Sequence, residues 1–324
     1  MAKQSVTKVK AGRATRIAEI EKKAEGIDFV KIAPLMSGVS VVLVILSIAL
    51  FFVKGLNYGI DFSGGTEIQV RFDHPVDVSQ VRSSMETAGI KQSSVQSFGA
   101  NNEFLIRLET PEGKTEHETN ELNNANVAKV RNALVNELQL KEDGVLRVDS
   151  VGPQVGSELK RNGVLAVFYS FLVILIYVGL RFDYKYAPGA VICLVHDTIV
   201  TIGIFTLLQR EFNVQIMAAI LTLIGYSLND TIVTFDRIRE TAPQFRDLSF
   251  KYIINKAIND TLGRTIITGG TTLLAVIALY FFAGGVIADI AFTLMIGVII
   301  GTYSSIYVAS PLVLYMDQMR KKAA

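Results

Sequence analysis

The sequence predicts a polytopic α-helical membrane protein of six transmembrane helices. A ferredoxin-like α/β domain lies on the extracytoplasmic side, between helices one and two. Three observations lead there. Half of the 324 residues are hydrophobic and only 19% are charged, against about 25% in an ordinary soluble domain. The apolar residues gather into six long runs. One polar stretch, 54–162, separates the first run from the rest and has strand and helix periodicities of its own.

Residues 1–34 form a polar tail with eight Lys or Arg against four acids. No small-residue cleavage site follows closely behind the first apolar run, so that run is expected to stay as an anchor. It covers 35–53 without a charge, and its length approaches a bilayer core of about 30 Å. The remaining spans are expected at 163–180, 187–208, 212–235, 265–282 and 286–316, with a charged cytoplasmic loop at 236–264 and a short tail at 317–324. Spans three and four are joined by little more than 209–211, and spans five and six by 283–285, so both pairs are tight hairpins. Within 54–162, strands are expected at 66–72, 94–98, 103–108 and 145–151, with a turn at 99–102 between the middle two. Helices are expected at 78–88, with Val78, Val81, Met85 and Ala88 on one face, and at 119–138, where Val127, Val130, Leu134 and Leu138 recur. The order β-α-β-β-α-β is the split βαβ motif.

The basic residues set the orientation. They crowd the N-terminal tail, the 181–186 turn (Arg181, Lys185), the 236–264 stretch and the C-terminus (Arg320, Lys321, Lys322), all on one side of six spans. The opposite short loops hold only Arg210. Both termini are therefore expected in the cytoplasm. A net charge of +2 and the lack of any zinc-finger or RNA-binding signature argue against a nucleic-acid partner. Cys193 is the one cysteine and reads as a small buried hydrophobe, with no metal-ligand spacing around it. No cofactor or metal is expected.

The informative residues are carboxylates inside apolar runs. A charge at mid-membrane costs about 2.5–3.5 kcal/mol on insertion scales, so a chain that keeps one buries it with a partner. Asp197 lies roughly 12 Å, and Asp230 roughly 8 Å, in from the cytoplasmic ends of spans three and four. The hairpin thus puts them at similar depth on neighbouring helices. Arg264 opens span five, and its long stem can reach inward. The three are expected to form one ionic cluster whose cation tunes the carboxylates, which is the chemistry of a proton relay; the alternative is an inert salt bridge. His196 reads as a packing residue, and Asp289 as a carboxylate near the outer edge that meets water. The "FDRIRE" run at 235–240 reads as an orienting flank. Gly269, Gly270, Thr271, Thr272, Ser304 and Ser305 read as small residues for close helix packing.

Five segments together resemble the SecD/SecF family of protein-export membrane proteins, relatives of the resistance-nodulation-division transporters. They are "GLNYGIDFSGGTEIQV" (55–70), "HDTIVTIG" (196–203), "GYSLNDTIVTFDRIRE" (225–240), "TLGRTIITGGTTLLAVIALYFFAGG" (261–285) and "IGVIIGTYSSIYVASP" (296–311). The resemblance implies a bacterial inner-membrane subunit that pairs with SecD into a twelve-span unit. That unit works with the SecYEG channel and other accessory subunits such as YajC, and uses the proton gradient to draw preproteins outward. It implies proton-path roles for Asp230 and Arg264, to which the position of Asp197 adds a third residue. It also implies a domain-linking motif containing Asp61, Gly64 and Gly65, which with Gly59 reads as a hinge or a tight turn. The span-five motif of the family usually has Ser where this chain has Gly269. Three other classes stay open on the residues alone: a half-transporter for a small solute or lipid, an intramembrane aspartyl protease using Asp197 and Asp230, and a purely structural subunit. The protease reading lacks the usual "GxGD", since 227–230 reads "SLND".

Overall fold

The computed structural model describes residues 26–90, 93–98, 102–110, 116–182 and 186–323. Turn residues 99–101, Lys185 and most of the basic tail lie outside them. Helix α1 (Phe29–Lys54) starts ahead of the expected 35, because Asp28 caps it by accepting the Lys31 N–H at 3.0 Å. A single-turn helix α2 (Ile60–Ser63) leads into the α/β domain: β1 (Gly65–Arg71), α3 (Val78–Thr87), β2 (Ser93–Ser97), β3 (Glu103–Leu108), α4 (Glu116–Leu138) and β4 (Val145–Val151). The strands lie in the order β2-β3-β1-β4, with every neighbour antiparallel. Alternation along the strands splits the sheet into two faces. Ile68, Val70, Val95, Phe104, Ile106 and Leu108 pack under Val81, Met85, Val130 and Leu134 of the two helices. The other face carries Glu67, Gln69, Arg107, Arg147 and Asp149 and bears no helix of the domain.

The chain re-enters the bundle through α5 (Pro153–Arg181), which begins at Pro153 in the domain and not at 163. Then come α6 (Ala187–Leu208), α7 (Val214–Gln244), α8 (Phe250–Phe282), α9 (Gly285–Ser304), a π-helical turn Ser305–Ala309, and α10 (Ser310–Ala323). Among the described residues these provide, with α1, six helices long and apolar enough to cross a membrane, the last continuous from Gly285 to Lys322. The loop expected at 236–264 is almost all helix, and only 245–249 connects α7 to α8. Its physical basis is a hydrophobic cluster outside the apolar runs: Ile238 of α7 packs with Ile253, Ile254, Ala257 and Ile258 of α8. Arg237 clamps the pair by donating to Asp260 at 2.7 Å, so "FDRIRE" also holds two helices together.

Both ends of the described chain meet at this end of the bundle. The Ile27 carbonyl accepts from the side chains of Asn255 and Asn259, and Lys321 lies over the Phe250 ring. The α/β domain sits at the opposite end, docked on the α6–α7 turn. Gly59 N–H donates to the Phe212 carbonyl and Phe212 N–H to the Asn57 carbonyl, both at 2.8 Å. Asp61 accepts the Val214 N–H at 3.0 Å, so it caps α7 from outside that helix.

Candidate functional site

α6 is enclosed by α1, α7 and α9, and it carries the most deeply buried carboxylate: Asp197 is 1% exposed. One oxygen, Oδ2, accepts from Ser227 of α7 at 2.6 Å and from Ser304 of α9 at 2.9 Å. The other, Oδ1, meets Nδ1 of the adjacent His196 at 2.9 Å. Cys193, one turn earlier on α6, sits against Ser304 at 3.2 Å. Asp230 lies one turn beyond Ser227 on α7. Its Oδ1 accepts from Thr265 of α8 at 2.7 Å and its Oδ2 from Ser305 at 3.0 Å. The consecutive hydroxyls of Ser304 and Ser305 therefore serve the two carboxylates, one each. They fall where α9 passes into the π turn, a local form often found at functional sites.

The turn has identifiable partners. Pro311 has no N–H for the Tyr307 carbonyl one helical turn back. Ser37 of α1 donates to that carbonyl at 2.8 Å instead, and the Ser310 hydroxyl closes on the Ser305 carbonyl at 3.0 Å.

The expected ionic cluster is corrected in one member. Asp197 and Asp230 come into one hydroxyl-lined layer, but Arg264 is exposed on the outer side of α8, and no ion pair joins it to either carboxylate. Its neighbour Thr265 faces Asp230, and adjacent helix positions point about 100° apart. The same rotation divides the expected packing residues. A Cβ on Gly269 would stand 3.1 Å from Thr302 Oγ1, so that glycine lets α8 and α9 approach. Thr271 is exposed and bonds back to its own helix, as does Thr272, and nothing crowds Gly270. Ser304 and Ser305 are fully buried but act as hydrogen-bond donors to the carboxylates as well as small residues.

The linking motif forms a hydrogen-bonded corner. Gly64 and Gly65 have φ of +75° and +135°, which favour glycine. A Cβ on Gly65 would stand 2.7 Å from the Leu108 carbonyl, and one on Gly64 3.1 Å from Pro153. Gly59 is hydrogen-bonded to Phe212, and a Cβ there would strike Glu211. Asp289 is tied to Arg210 at 3.1 Å.

Sequence reasoning missed Ser227 and Thr265 as carboxylate partners. The available signals were helical spacing, Ser227 lying three residues before Asp230, and the position of Thr265 directly after Arg264. It also took His196 only as packing. The ring is 5% exposed, touches Asp197, and leaves Nε2 without a hydrogen-bond partner. Among the described residues no group of three or more His, Cys, Asp or Glu is placed to hold a metal ion.

A bundle with hydroxyl-bound carboxylates in its middle spans, roofed by an α/β domain, has the form of a transport subunit. A family model described as "Protein export membrane protein SecD/SecF, C-terminal" matches residues 131–319, and one described as "SecD/SecF GG Motif" matches 49–76. The chain is 46% identical over 307 residues to a protein translocase subunit SecF of Calditerrivibrio nitroreducens, covering 94% of this chain and 98% of that protein. It is 47% identical over 305 residues to the Magnetococcus marinus SecF, covering 93% and 96%. For the Escherichia coli O157:H7 SecF the figures are 40% over 284 residues, 88% and 86%. Among solved structures it resembles SecDF of Thermus thermophilus, a translocon-associated membrane protein, with a TM-score of 0.78 at 36% identity over 91% of this chain. A super-membrane-facing form of SecDF gives 0.67, also at 36% identity, over 92% of this chain. The chain spans 39% of the length of each of those SecDF chains. The chain belongs to the SecD/SecF family of protein-export membrane proteins. Family membership makes it a multi-pass transport subunit of the bacterial inner membrane and not an enzyme.

Proposed function

We propose that this chain, as the SecF-type half of a SecD–SecF unit, works with SecYEG and uses the proton gradient to promote preprotein translocation. The observation that carries the reading is the pair of intramembrane carboxylates, Asp197 and Asp230, on adjacent spans, each held by one of the consecutive hydroxyls Ser304 and Ser305. Hydroxyls both donate and accept, so each can stay bonded to its carboxylate whether that carboxylate is ionised or protonated. One elementary charge moved through 100 mV supplies about 2.3 kcal/mol, enough for a few protons to drive a domain movement. The family resemblance adds Arg264, the residue before the Asp230 donor Thr265, to the path. The exposed faces of α1, α5 and α8 contact lipid, SecD and accessory subunits such as YajC. Both termini are cytoplasmic and the α/β domain meets the emerging preprotein, as the distribution of basic residues supports.

The test is preprotein protection in proteoliposomes holding the complete translocase, with the gradient imposed or collapsed by an uncoupler. Asp230→Asn should retain complex yield and lose the gradient-dependent part of translocation. Full uncoupler-sensitive stimulation at normal complex yield would rule out the proton role.

A further inference from the structure

At the outer end of the bundle, the helix-free face of the sheet lies over the α6–α7 turn and the start of α9, enclosing a cavity of about 300 Å³. Its charges pair off unevenly. Arg147 bonds Asp149 at 2.5 Å, and Arg210 bonds Asp289 at 3.1 Å. Asp61 is spent on the Val214 N–H. That leaves one guanidinium, Arg107 of β3, between two carboxylates: Glu67, directly across on β1, and Glu211 of the α6–α7 turn. All three side chains are less than one-fifth exposed. Arg107 closes tightly on Glu211 and donates to the Tyr58 carbonyl at 3.2 Å. It stands 3.6 Å from Glu67 Oε2, too far for a hydrogen bond, and Glu67 Oε2 and Arg107 Nε are both buried without a hydrogen-bond partner. One cation facing two buried anions leaves an uncompensated charge, and a proton on the loosely held Glu67 is what neutralises it.

We propose that Glu67, Arg107 and Glu211 form an external proton-binding clasp. A proton on Glu67 leaves a one-to-one Arg107–Glu211 bridge that fastens the α/β domain to the outer ends of α6 and α7. Losing that proton loosens the fastening. The proton arrives from water through the cavity, which Glu67 lines.

The electrostatics agree. Burial first, then Glu211, raise the Glu67 carboxyl from 4.5 to about 7 against the pull of Arg107, with Asp149 adding a little. Burial also raises Glu211, which Asp289 and Asp61 push the same way and Arg107 opposes. A carboxyl raised by docking favours the docked state while protonated. Docking is therefore strongest in acid and weakens as pH rises from 4.5 through about 7. The clasp does not rest on the intramembrane relay, and each can fail alone.

The test is amide hydrogen exchange on the full chain in nanodiscs, corrected for intrinsic rates, at pH 5 and pH 8. The reporters are the Phe212 and Val214 amides, which bond across the junction. Each pH unit of raised pKa is tenfold in the docking constant, so protection should fall on the order of 100-fold between the two conditions. Glu67→Gln should stay protected at both, and Arg107→Gln should be weakly protected at both. Glu211→Gln, which frees Arg107 for Glu67, should flatten the pH dependence. A pH-independent wild type overturns the clasp, as does a Glu67→Gln or Glu211→Gln protein that keeps the full wild-type slope.

Discussion

Removing the Asp197 carboxylate should open the core of the bundle, and the chain carries its own reporter. Cys193 is the single cysteine, is 0% exposed, and touches Ser304, one of the Asp197 donors. Asp197 holds three partners: Ser227 at 2.6 Å, Ser304 at 2.9 Å and His196 at 2.9 Å. Polar contacts between membrane helices average about 0.6 kcal/mol each, and charged ones lie above that, so the three together contribute about 2 kcal/mol. Ser304 recovers part of this by turning to the Gly301 carbonyl, already at 3.1 Å. Ser227 and His196 have no second acceptor among the described residues and bear most of the loss. At about 1.4 kcal/mol per decade, Asp197→Ala should raise the population of open bundle roughly 30-fold. Asp197→Asn keeps one oxygen for the serine hydroxyls and turns its amide to His196, which needs only the other imidazole tautomer. It should cost about 0.5–1 kcal/mol, or roughly twofold to fivefold. The assay is the labelling rate of Cys193 by a thiol-reactive fluorophore in detergent, below the melting temperature. Labelling of Asp197→Ala at the wild-type rate would refute the view that this carboxylate ties α6, α7 and α9 together.

Three further outcomes are expected. Ser37→Ala strips the Tyr307 carbonyl of its donor where Pro311 offers none, and should cost about 1 kcal/mol, read as faster Cys193 labelling. Gly65→Ala must fit a Cβ 2.7 Å from the Leu108 carbonyl at φ +135°; it should destabilise the domain by about 2 kcal/mol or more, measured as lost exchange protection in β1. Arg264→Met removes an exposed side chain with no carboxylate partner among the described residues, so the isolated protein should keep its stability within about 0.5 kcal/mol, while gradient-driven export in the assembled translocase falls; a large drop in melting temperature would contradict its exposed placement.

The spans, their hairpins and the split βαβ order were legible because each rests on a periodicity or a run of one residue class. Asp197 and Asp230 were legible for a related reason: a charge in an apolar run is expensive enough to stand out singly. Their partners were not, since serine and threonine are ordinary in such runs, and only the crossing of α9 between α6 and α7 makes Ser304 and Ser305 special. Arg264 misled through its position in sequence, because helix rotation and not proximity decides which neighbour faces a carboxylate. The long extension of α7 and α8 was obscured by its charges. Hydropathy reports where a membrane ends, whereas Ile238, Ile253, Ile254 and Ile258 show where packing continues. The Glu67–Arg107 pair depends on strand register, and its second carboxylate, Glu211, lies far away in sequence.

α7 links the two charged layers. It starts beneath the α/β domain, where Asp61 holds its first N–H and Phe212 is bonded into the linking motif. Asp230 follows on the same helix, roughly 24 Å away along its axis. The helix is unbroken from Val214 to Gln244, and its one proline, Pro243, lies beyond Asp230. Kinks need a proline, a glycine–serine pair, a π turn or an inserted group. In α7 the only such place before Asp230 is near Gly225 and Ser227. Ser227, however, is pinned to Asp197. A rigid rod fixed at that point cannot shift at Asp230 without moving its outer end. A displacement at Asp230 would therefore act directly on the Phe212 and Glu211 contacts at the outer end of α7.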